Sequence, residues 1–126
     1  MNKKSFIDVN SETPIFQQII NETERQILVG ELKEDDFLLS VREFATKHKI
    51  NPNTVAKAYQ NLQAMGLVES VRGKGLKVKK IKEKAASNRK EDLIKEKVMD
   101  LIQVSISLNI SNTELIELIK SLGRKK

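Results

Sequence analysis

The chain has 126 residues, a length that fits one domain or one small domain with an appendage. It contains no Cys and one His, which excludes disulfide frameworks and thiol nucleophiles and nearly excludes His-based metal sites and Ser–His catalytic sets. No apolar run approaches a membrane span, and the N-terminus lacks the apolar region of a signal peptide. We therefore expect a cytoplasmic protein with no membrane partner.

The charge is concentrated in the middle of the chain. Overall, 23 basic residues against 17 acidic ones give a net charge of +6. Residues 40–80 carry nine basic and two acidic side chains, whereas residues 1–39 carry four and eight. Such a basic block is typical of a protein that binds a polyanion, but a solvated lysine-rich face has the same charge pattern. Charge alone leaves both interpretations open.

The first predicted helix covers residues 14–29. Thr13 is the expected cap and Pro14 the expected first helical residue, because the N–H that proline lacks is unpaired at that position anyway. Gly30 follows as a stop signal. An acidic turn then leads to residues 37–39, which predict at most one short strand.

Two further helices are indicated by their caps. Ser40 and Glu43 form a capping box that opens the second helix, and Asn51 with Pro52 opens the third. Helical spacing divides the third helix into two faces. The predicted inward face contains Val55, Ala58, Tyr59, Leu62 and Met65. The predicted outward face contains Asn53, Thr54, Lys57, Gln60 and Asn61, which are all cationic or able to form hydrogen bonds.

A glycine-linked hairpin follows the third helix. Gly66 ends the helix, and two β-type runs at 67–72 and 76–80 are joined by Gly73, Lys74 and Gly75. Two helices and a basic hairpin predict a winged helix-turn-helix. The predicted fold is thus mainly α with a small β-wing: a DNA-binding domain at residues 1–80 and a short two-helix dimerisation region at 81–126.

The tail carries a broad apolar face. We predict one helix from Glu91 to about Asn109, after a polar stretch at 81–90, and a second that starts at a Ser111–Glu114 capping box and stops at Gly123. The residues predicted to make the dimer contact are Ile94, Val98, Leu101, Ile102, Leu108, Leu115, Ile119 and Leu122. These helices are too short to enclose a metabolite pocket, and their apolar face would be wet in a monomer. We therefore expect a homodimer.

The third helix and the wing provide the candidate DNA contacts. Asn53 can pair with adenine, Thr54 can contact a phosphate or a thymine methyl, and Lys57 can reach guanine or the backbone. Arg42 suits a phosphate or a guanine, and the wing residues Arg72, Gly73, Lys74 and Gly75 suit a phosphate or the minor groove. The structural alternatives are that Ser40 and Asn51 serve only as caps, that Lys57 is merely solvated, and that the wing is an ordinary surface hairpin.

Two other features have simpler interpretations. His48 could be a pH switch, but a single His on an apolar helix face is expected to be a packed or half-exposed side chain. Asp35 and Asp36 are adjacent in a turn and point apart, so we expect no catalytic pair. We predict no metal, no cofactor and no enzymatic activity, and we assign no small-molecule effector.

Several stretches resemble the DNA-binding domain of GntR-type bacterial regulators, and the opening residues 6–8 together with the short two-helix tail resemble the YtrA-type subfamily. They are PIFQQI from Pro14, residues 39–45, residues 51–55, residues 62–68 and residues 73–78. The resemblance implies a dimeric repressor on a palindromic operator. It places DNA contacts at Ser40, Arg42, Asn51, Asn53, Thr54 and the 72–75 wing, while Lys57 is added from helix geometry.

The resemblance also locates a departure in the backbone. Lys49 stands where GntR-type relatives commonly have the Gly that closes the second helix, which predicts a left-handed lysine at a cost of about 1 kcal/mol. YtrA-type regulators often lie beside ABC-transporter genes, so control of such an operon is expected. The alternative function is a winged-helix protein that binds RNA or compacts DNA with little sequence specificity.

Overall fold

The computed structural model describes residues 5–123 and divides into two compact units, 5–82 and 83–123. The outermost residues of the two predicted domains, 1–4 and 124–126, lie outside the described part. The first unit contains α1 (Ile15–Leu28), α2 (Val41–His48), α3 (Pro52–Ala64), β1 (Val68–Val71) and β2 (Gly75–Val78). The second contains α4 (Glu83–Ser107) and α5 (Asn112–Gly123). The predicted fold, helical with one β-hairpin, is confirmed.

The inner face of α3 lies at the centre of the first unit. Val55 and Leu62 are fully buried, as is Ile19 of α1, and the core continues into Val68 of β1 and Val78 of β2. Each such aliphatic side chain contributes about 1.5–3 kcal/mol when buried. Because one side of α3 is held this way, its other side is fixed outward.

The predicted inward face of α3 is confirmed at four positions and wrong at the fifth. Val55, Ala58, Tyr59 and Leu62 are buried, but Met65 is 42% exposed. Met65 is the C-cap residue, beyond the last helical residue Ala64. The buried positions of α3 therefore end at Leu62.

The start of α1 corrects the prediction for Thr13 and Pro14. Pro14 has an extended ψ of 148° and is itself the N-cap, no side chain caps the helix, and Ile15 is the first helical residue. The carbonyl of Pro14 accepts the N–H groups of Gln17 and Gln18. The carbonyl of Thr13 instead accepts the side-chain amide of Gln18.

The capping box of α2 is confirmed. The Glu43 N–H donates to Ser40 Oγ at 3.0 Å, and the Ser40 N–H donates to Glu43 Oε1 at 3.0 Å. These bonds with Ser40 lower the pKa of Glu43. At the other end, Lys49 has φ 57° and ψ 51°, the predicted left-handed conformation, and its N–H bonds to the Ala45 carbonyl.

The wing is joined at its base to the loop between α1 and α2. In the hairpin, Val68 pairs with Val78 and Val71 with Gly75, so the strands are shorter than the predicted runs. The predicted short strand at 37–39 is reduced to a bridge between Phe37 and Lys77. A backbone bond from the Leu38 N–H to the Leu76 carbonyl, 2.9 Å, supports it.

The tail helix α4 is longer than predicted. It begins at Glu83 rather than Glu91, so most of the stretch at 81–90 is helical. Residues 83–90 have few apolar side chains and therefore no visible period, but Glu, Lys, Ala and Arg are good helix formers. The Ser111–Glu114 capping box before α5 is confirmed by bonds of 3.0 and 3.1 Å. Across residues 5–123, no helix has the length and apolar character needed to cross a membrane.

His48 is a half-buried packing residue. Its ring centroid lies 4.3 Å from that of Phe44 and 5.1 Å from that of Phe6, and Nδ1 lies 2.6 Å from Ser5 Oγ. Desolvation by burial, followed by the charge of Lys47, holds the pKa of His48 below its ordinary value. The expectation of a packed or half-exposed His is confirmed.

We expect Lys49→Gly to stabilise the protein by about 0.5–1 kcal/mol, because glycine adopts a left-handed backbone without a Cβ penalty. The matched control is Lys47→Gly, two residues earlier within α2, which should destabilise by about the same amount. Urea unfolding measures both variants. A Lys49→Gly variant as destabilised as Lys47→Gly would contradict the strain at position 49.

We expect the free energy of unfolding to decrease as the pH falls from about 7.5 to 5.5, because unfolded His48 binds a proton more readily than the packed ring. Because the pKa of His48 in the folded state lies below its ordinary value, the contribution of neutral His48 to the free energy of unfolding is fully present above about pH 6.5 and is lost below it. His48→Phe, which keeps a ring without a titrating group, should remove the dependence. Urea unfolding at each pH gives the free energy of unfolding of both proteins. An equal dependence on pH in the wild type and in His48→Phe would show that His48 is not the titrating group.

Candidate nucleic-acid interface

The first unit exposes three groups of predicted contact residues. Arg42 lies in the first turn of α2, Asn53 and Lys57 lie on the outer side of α3, and the 72–75 turn forms the wing tip. Arg42, Asn53 and Lys57 are exposed, while Thr54 is half-buried. All three groups therefore belong to one packed unit with a common core.

At the start of α3, the side chain of Asn51 caps the helix and the side chain of Asn53 is free. Asn51 Oδ1 accepts the Asn53 N–H at 2.8 Å, and the Asn51 carbonyl accepts the Thr54 N–H at 3.0 Å. The side-chain amide of Asn53 has no partner within residues 5–123. It remains available to donate one hydrogen bond and accept another, as pairing with adenine requires.

Ser40 and Asn51 both act as caps, and each side chain uses only its oxygen as an acceptor in doing so. Ser40 Oγ accepts from Glu43 and Asn51 Oδ1 accepts from Asn53. A hydroxyl proton on Ser40 and an NH₂ group on Asn51 are still available, and both can donate to a phosphate oxygen. Capping and contact are compatible at these two positions.

Lys57 is directed towards α1. Its ammonium lies 4.1 Å from the centroid of the Phe16 ring. One turn further along α3, Asn61 Nδ2 donates to the Lys57 carbonyl at 3.0 Å. Asn61 was predicted on the outward face, and it is exposed, but its amide is used within the helix. The sequence analysis missed the Phe16 contact, since helical periodicity does not show which side chains of two helices meet.

The wing contains two kinds of cation. Lys77 at its base lies 3.1 Å from Asp35 and 3.7 Å from Glu69, and these carboxylates raise the pKa of Lys77. Arg72 and Lys74 at the tip are exposed and form no ion pair with any described residue. Of the three cations in the hairpin, the two at the tip are therefore free to meet an anionic partner.

The backbone of the tip requires its glycines. Gly73 has φ 79° and Gly75 has φ 114°, values that residues with a Cβ rarely adopt. The Lys74 N–H bonds to the Val71 carbonyl at 2.9 Å and closes the turn. A Cβ added at either glycine would meet no other atom within 4 Å, so backbone angles and not crowding explain the two glycines.

Tyr59 links α3 to the chain before α2. Its phenol donates to the Leu39 carbonyl at 2.8 Å, and burial raises its pKa, which keeps this donor protonated. Leu39 immediately precedes the cap Ser40, so the bond fixes the entry to α2 relative to α3. The sequence analysis missed it, although a single Tyr on an inward face is expected to have a hydrogen-bond partner.

Arg42 is a free cation in the first turn of α2. No ion pair to it occurs among residues 5–123. Within the same range, no cluster of three or more His, Asp or Glu side chains could hold a metal ion. The polar groups without partners at this surface are those suited to nucleic acid.

Comparison with known proteins identifies relatives over nearly the whole chain. Residues 15–78 match the family of bacterial regulatory proteins named gntR. The chain is 38% identical over 117 residues to the HTH-type transcriptional repressor YtrA of Bacillus subtilis, covering 93% of this chain and 90% of YtrA.

Solved structures agree with this relation. A GntR family transcriptional regulator from Listeria monocytogenes superposes with a TM-score of 0.77 at 29% identity, covering 89% of this chain and 97% of the other. The DNA-binding domain of AraR in complex with operator ORX1 matches with a TM-score of 0.52 at 27% identity, covering 60% of this chain and 94% of that one. The relatives are regulators and not enzymes, and the chain belongs to the GntR family of DNA-binding transcriptional regulators.

Proposed function

We propose that the protein is a homodimeric, sequence-specific repressor that binds a palindromic operator. In each half-site, α3 enters the major groove and the wing lies beside it. The observation that carries the proposal is the unpartnered amide of Asn53 at the exposed start of α3. A helix start is the part of a recognition helix that meets base edges.

The roles of the side chains follow from what each has free. Asn53 reads a base, and Thr54 contacts a phosphate or a thymine methyl. Arg42 binds a phosphate or a guanine, and the unused donors of Ser40 and Asn51 bind phosphate. The wing tip, with Arg72 before Gly73 and Lys74 between Gly73 and Gly75, follows the DNA backbone or the minor groove.

The proposed dimer contact is the apolar surface of α4 and α5. Of the predicted contact residues, Leu115 is buried within the unit and Ile102 is half-buried. The others are at least 42% exposed: Ile94, Val98, Leu101, Leu108, Ile119 and Leu122. A surface of this kind is unfavourable in water at about 25 cal/mol per Å² of apolar area, and pairing with a second copy removes it from water.

The regulated genes and the site of action are proposed from the relatives. The similarity to the repressor YtrA supports repression, and the YtrA-type resemblance supports control of an ABC-transporter operon. DNA is the partner, so the proposed location is the cytoplasm. We assign no cofactor and no effector.

Selection of bound sequences from a random duplex pool tests the proposal. The expected product is an inverted repeat with half-site centres about one helical turn, ~34–36 Å, or a multiple of it, apart. Recovery of unrelated sequences with a steep salt dependence would instead favour a non-specific DNA or RNA binder.

Asn53→Ala should weaken binding to the selected duplex more than to random duplex, since a lost base contact is worth about 1–3 kcal/mol of discrimination. Lys74→Ala should weaken both equally, because a phosphate contact carries little sequence information. Fluorescence anisotropy titrations on both duplexes measure these changes. An equal loss on both duplexes for Asn53→Ala would assign Asn53 to positioning and not to reading.

Leu101→Asp should give a monomer with much weaker affinity for the full palindrome, because it puts a charge into the proposed apolar contact. Gln103→Asp, two residues away on the opposite side of α4, is the matched control and should remain dimeric. Light scattering at micromolar concentration reports the mass, and anisotropy reports the affinity. A Leu101→Asp variant that binds the palindrome with unchanged affinity would show that the tail does not align the DNA-binding units of the two subunits.

A further inference from the structure

The contact between Lys57 and Phe16 joins two parts of the first unit. Phe16 is half-buried in the first turn of α1, and Lys57 is exposed on α3, yet the ammonium lies 4.1 Å from the ring centroid. Among the described cations, Lys57 has no carboxylate partner, in contrast to Lys77 and Arg25. The aromatic ring is therefore the group that holds its side chain.

We propose that Phe16 is a positioning residue for DNA binding, whose ring holds the Lys57 ammonium where it meets the phosphate backbone. The inference rests on the proposed function, because it places α3 in a groove. It assigns to Phe16 a role beyond packing in the core. It also selects a DNA phosphate, and not a guanine base, as the partner of Lys57.

The position of the ammonium decides between these partners. Lys57 follows Asn53 by four residues, so their Cβ atoms lie on the same side of α3. From that shared side the Lys57 chain turns towards α1 and ends over another helix. When a helix lies in the major groove, base edges lie beneath it and phosphates line both flanks. A cation drawn to the flank therefore meets phosphate.

The ring reduces the loss of conformational freedom on binding. A free lysine side chain samples many rotamers and loses most of them when it contacts a phosphate. Phe16 restricts the chain beforehand, and the ring attracts the ammonium without neutralising it. Asn61, bonded to the Lys57 carbonyl, holds the backbone at the same point. The contact surface is thus partly ordered before DNA arrives.

A double-mutant cycle measures the coupling. The four proteins are the wild type, Phe16→Leu, Lys57→Gln and the double variant, each as the full chain. Binding is titrated between about 50 and 200 mM salt on the selected duplex and on a duplex of random sequence. Lys120→Gln on α5 is the matched control for loss of one positive charge, and Phe16→Tyr is the control that keeps the ring.

The salt slope is the slope of the logarithm of the binding constant against the logarithm of the salt concentration. Lys57→Gln should reduce its magnitude by about 0.9 for each bound subunit on both duplexes, and Lys120→Gln should leave it unchanged. Phe16→Leu should weaken binding about two- to fivefold while keeping most of the slope. In the Lys57→Gln background, Phe16→Leu should have no further effect, and Phe16→Tyr should bind like the wild type. The ring-current shift of the Lys57 ε-protons should vanish in Phe16→Leu.

Three results would overturn the inference: an equal cost of Phe16→Leu with and without Lys57, an unchanged salt slope in Lys57→Gln, or a loss confined to the selected duplex. Phe16→Leu is compared in the wild-type background and in the Lys57→Gln background, so any general effect on folding is common to both and cancels. Urea unfolding reports that effect separately. If selection yields no consensus, the proposed function fails, whereas the random duplex still decides the role of Phe16.

Discussion

The burial of Val55 and Leu62 holds the outer face of α3 in place. Neither side chain has any exposed surface, and both pack in the cluster that contains residues of α1, α2 and the hairpin. Replacing Leu62 by Ala would leave a cavity in this cluster and cost about 2–5 kcal/mol. Since the core fixes the rotation of α3, it also places Asn53 and Lys57 on the exposed side of the helix. Recognition is in this sense a consequence of packing.

Two polar links extend this constraint to the rest of the surface. The bond from Tyr59 to the Leu39 carbonyl sets the entry to α2, and with it the position of Arg42. The bridge at Phe37 and the ion pair between Lys77 and Asp35 join the wing base to the loop before α2. Exposed ion pairs contribute little stability by themselves. Here the pair also removes one cation from the wing, so that the free positive charge is concentrated at the tip.

Much of this arrangement could be predicted from local signals. The two capping boxes, the glycine turn and four of the five inner positions of α3 each depend on a few neighbouring residues, and each is present. The left-handed Lys49 was instead predicted from the resemblance to GntR-type regulators, and it is also present. The predicted start of α1 was wrong because Thr13 and Pro14 both fit the start of a helix, and sequence alone does not decide which carbonyl accepts the first N–H. The start of α4 was missed because residues 83–90 form a helix without an apolar stripe.

The links between elements could not be read from spacing. The approach of Lys57 to Phe16 and of Lys77 to Asp35 depends on how helices and strands cross, which no local period encodes. The DNA contacts themselves and the dimer surface are inferred from exposure and free hydrogen-bonding groups.

The chain contains no Cys, so a single introduced cysteine is a unique attachment point for a DNA-cleaving iron chelate. The most direct measurement is cleavage mapping with the chelate on Gln60→Cys of α3 and, in a second protein, on Ser70→Cys of the wing. The account predicts two cleavage clusters related by the dyad of the selected palindrome, with the α3 clusters centred on the half-sites and the wing clusters beside them. A single cluster, or cleavage spread evenly along the duplex, would contradict a dimer that reads DNA through α3.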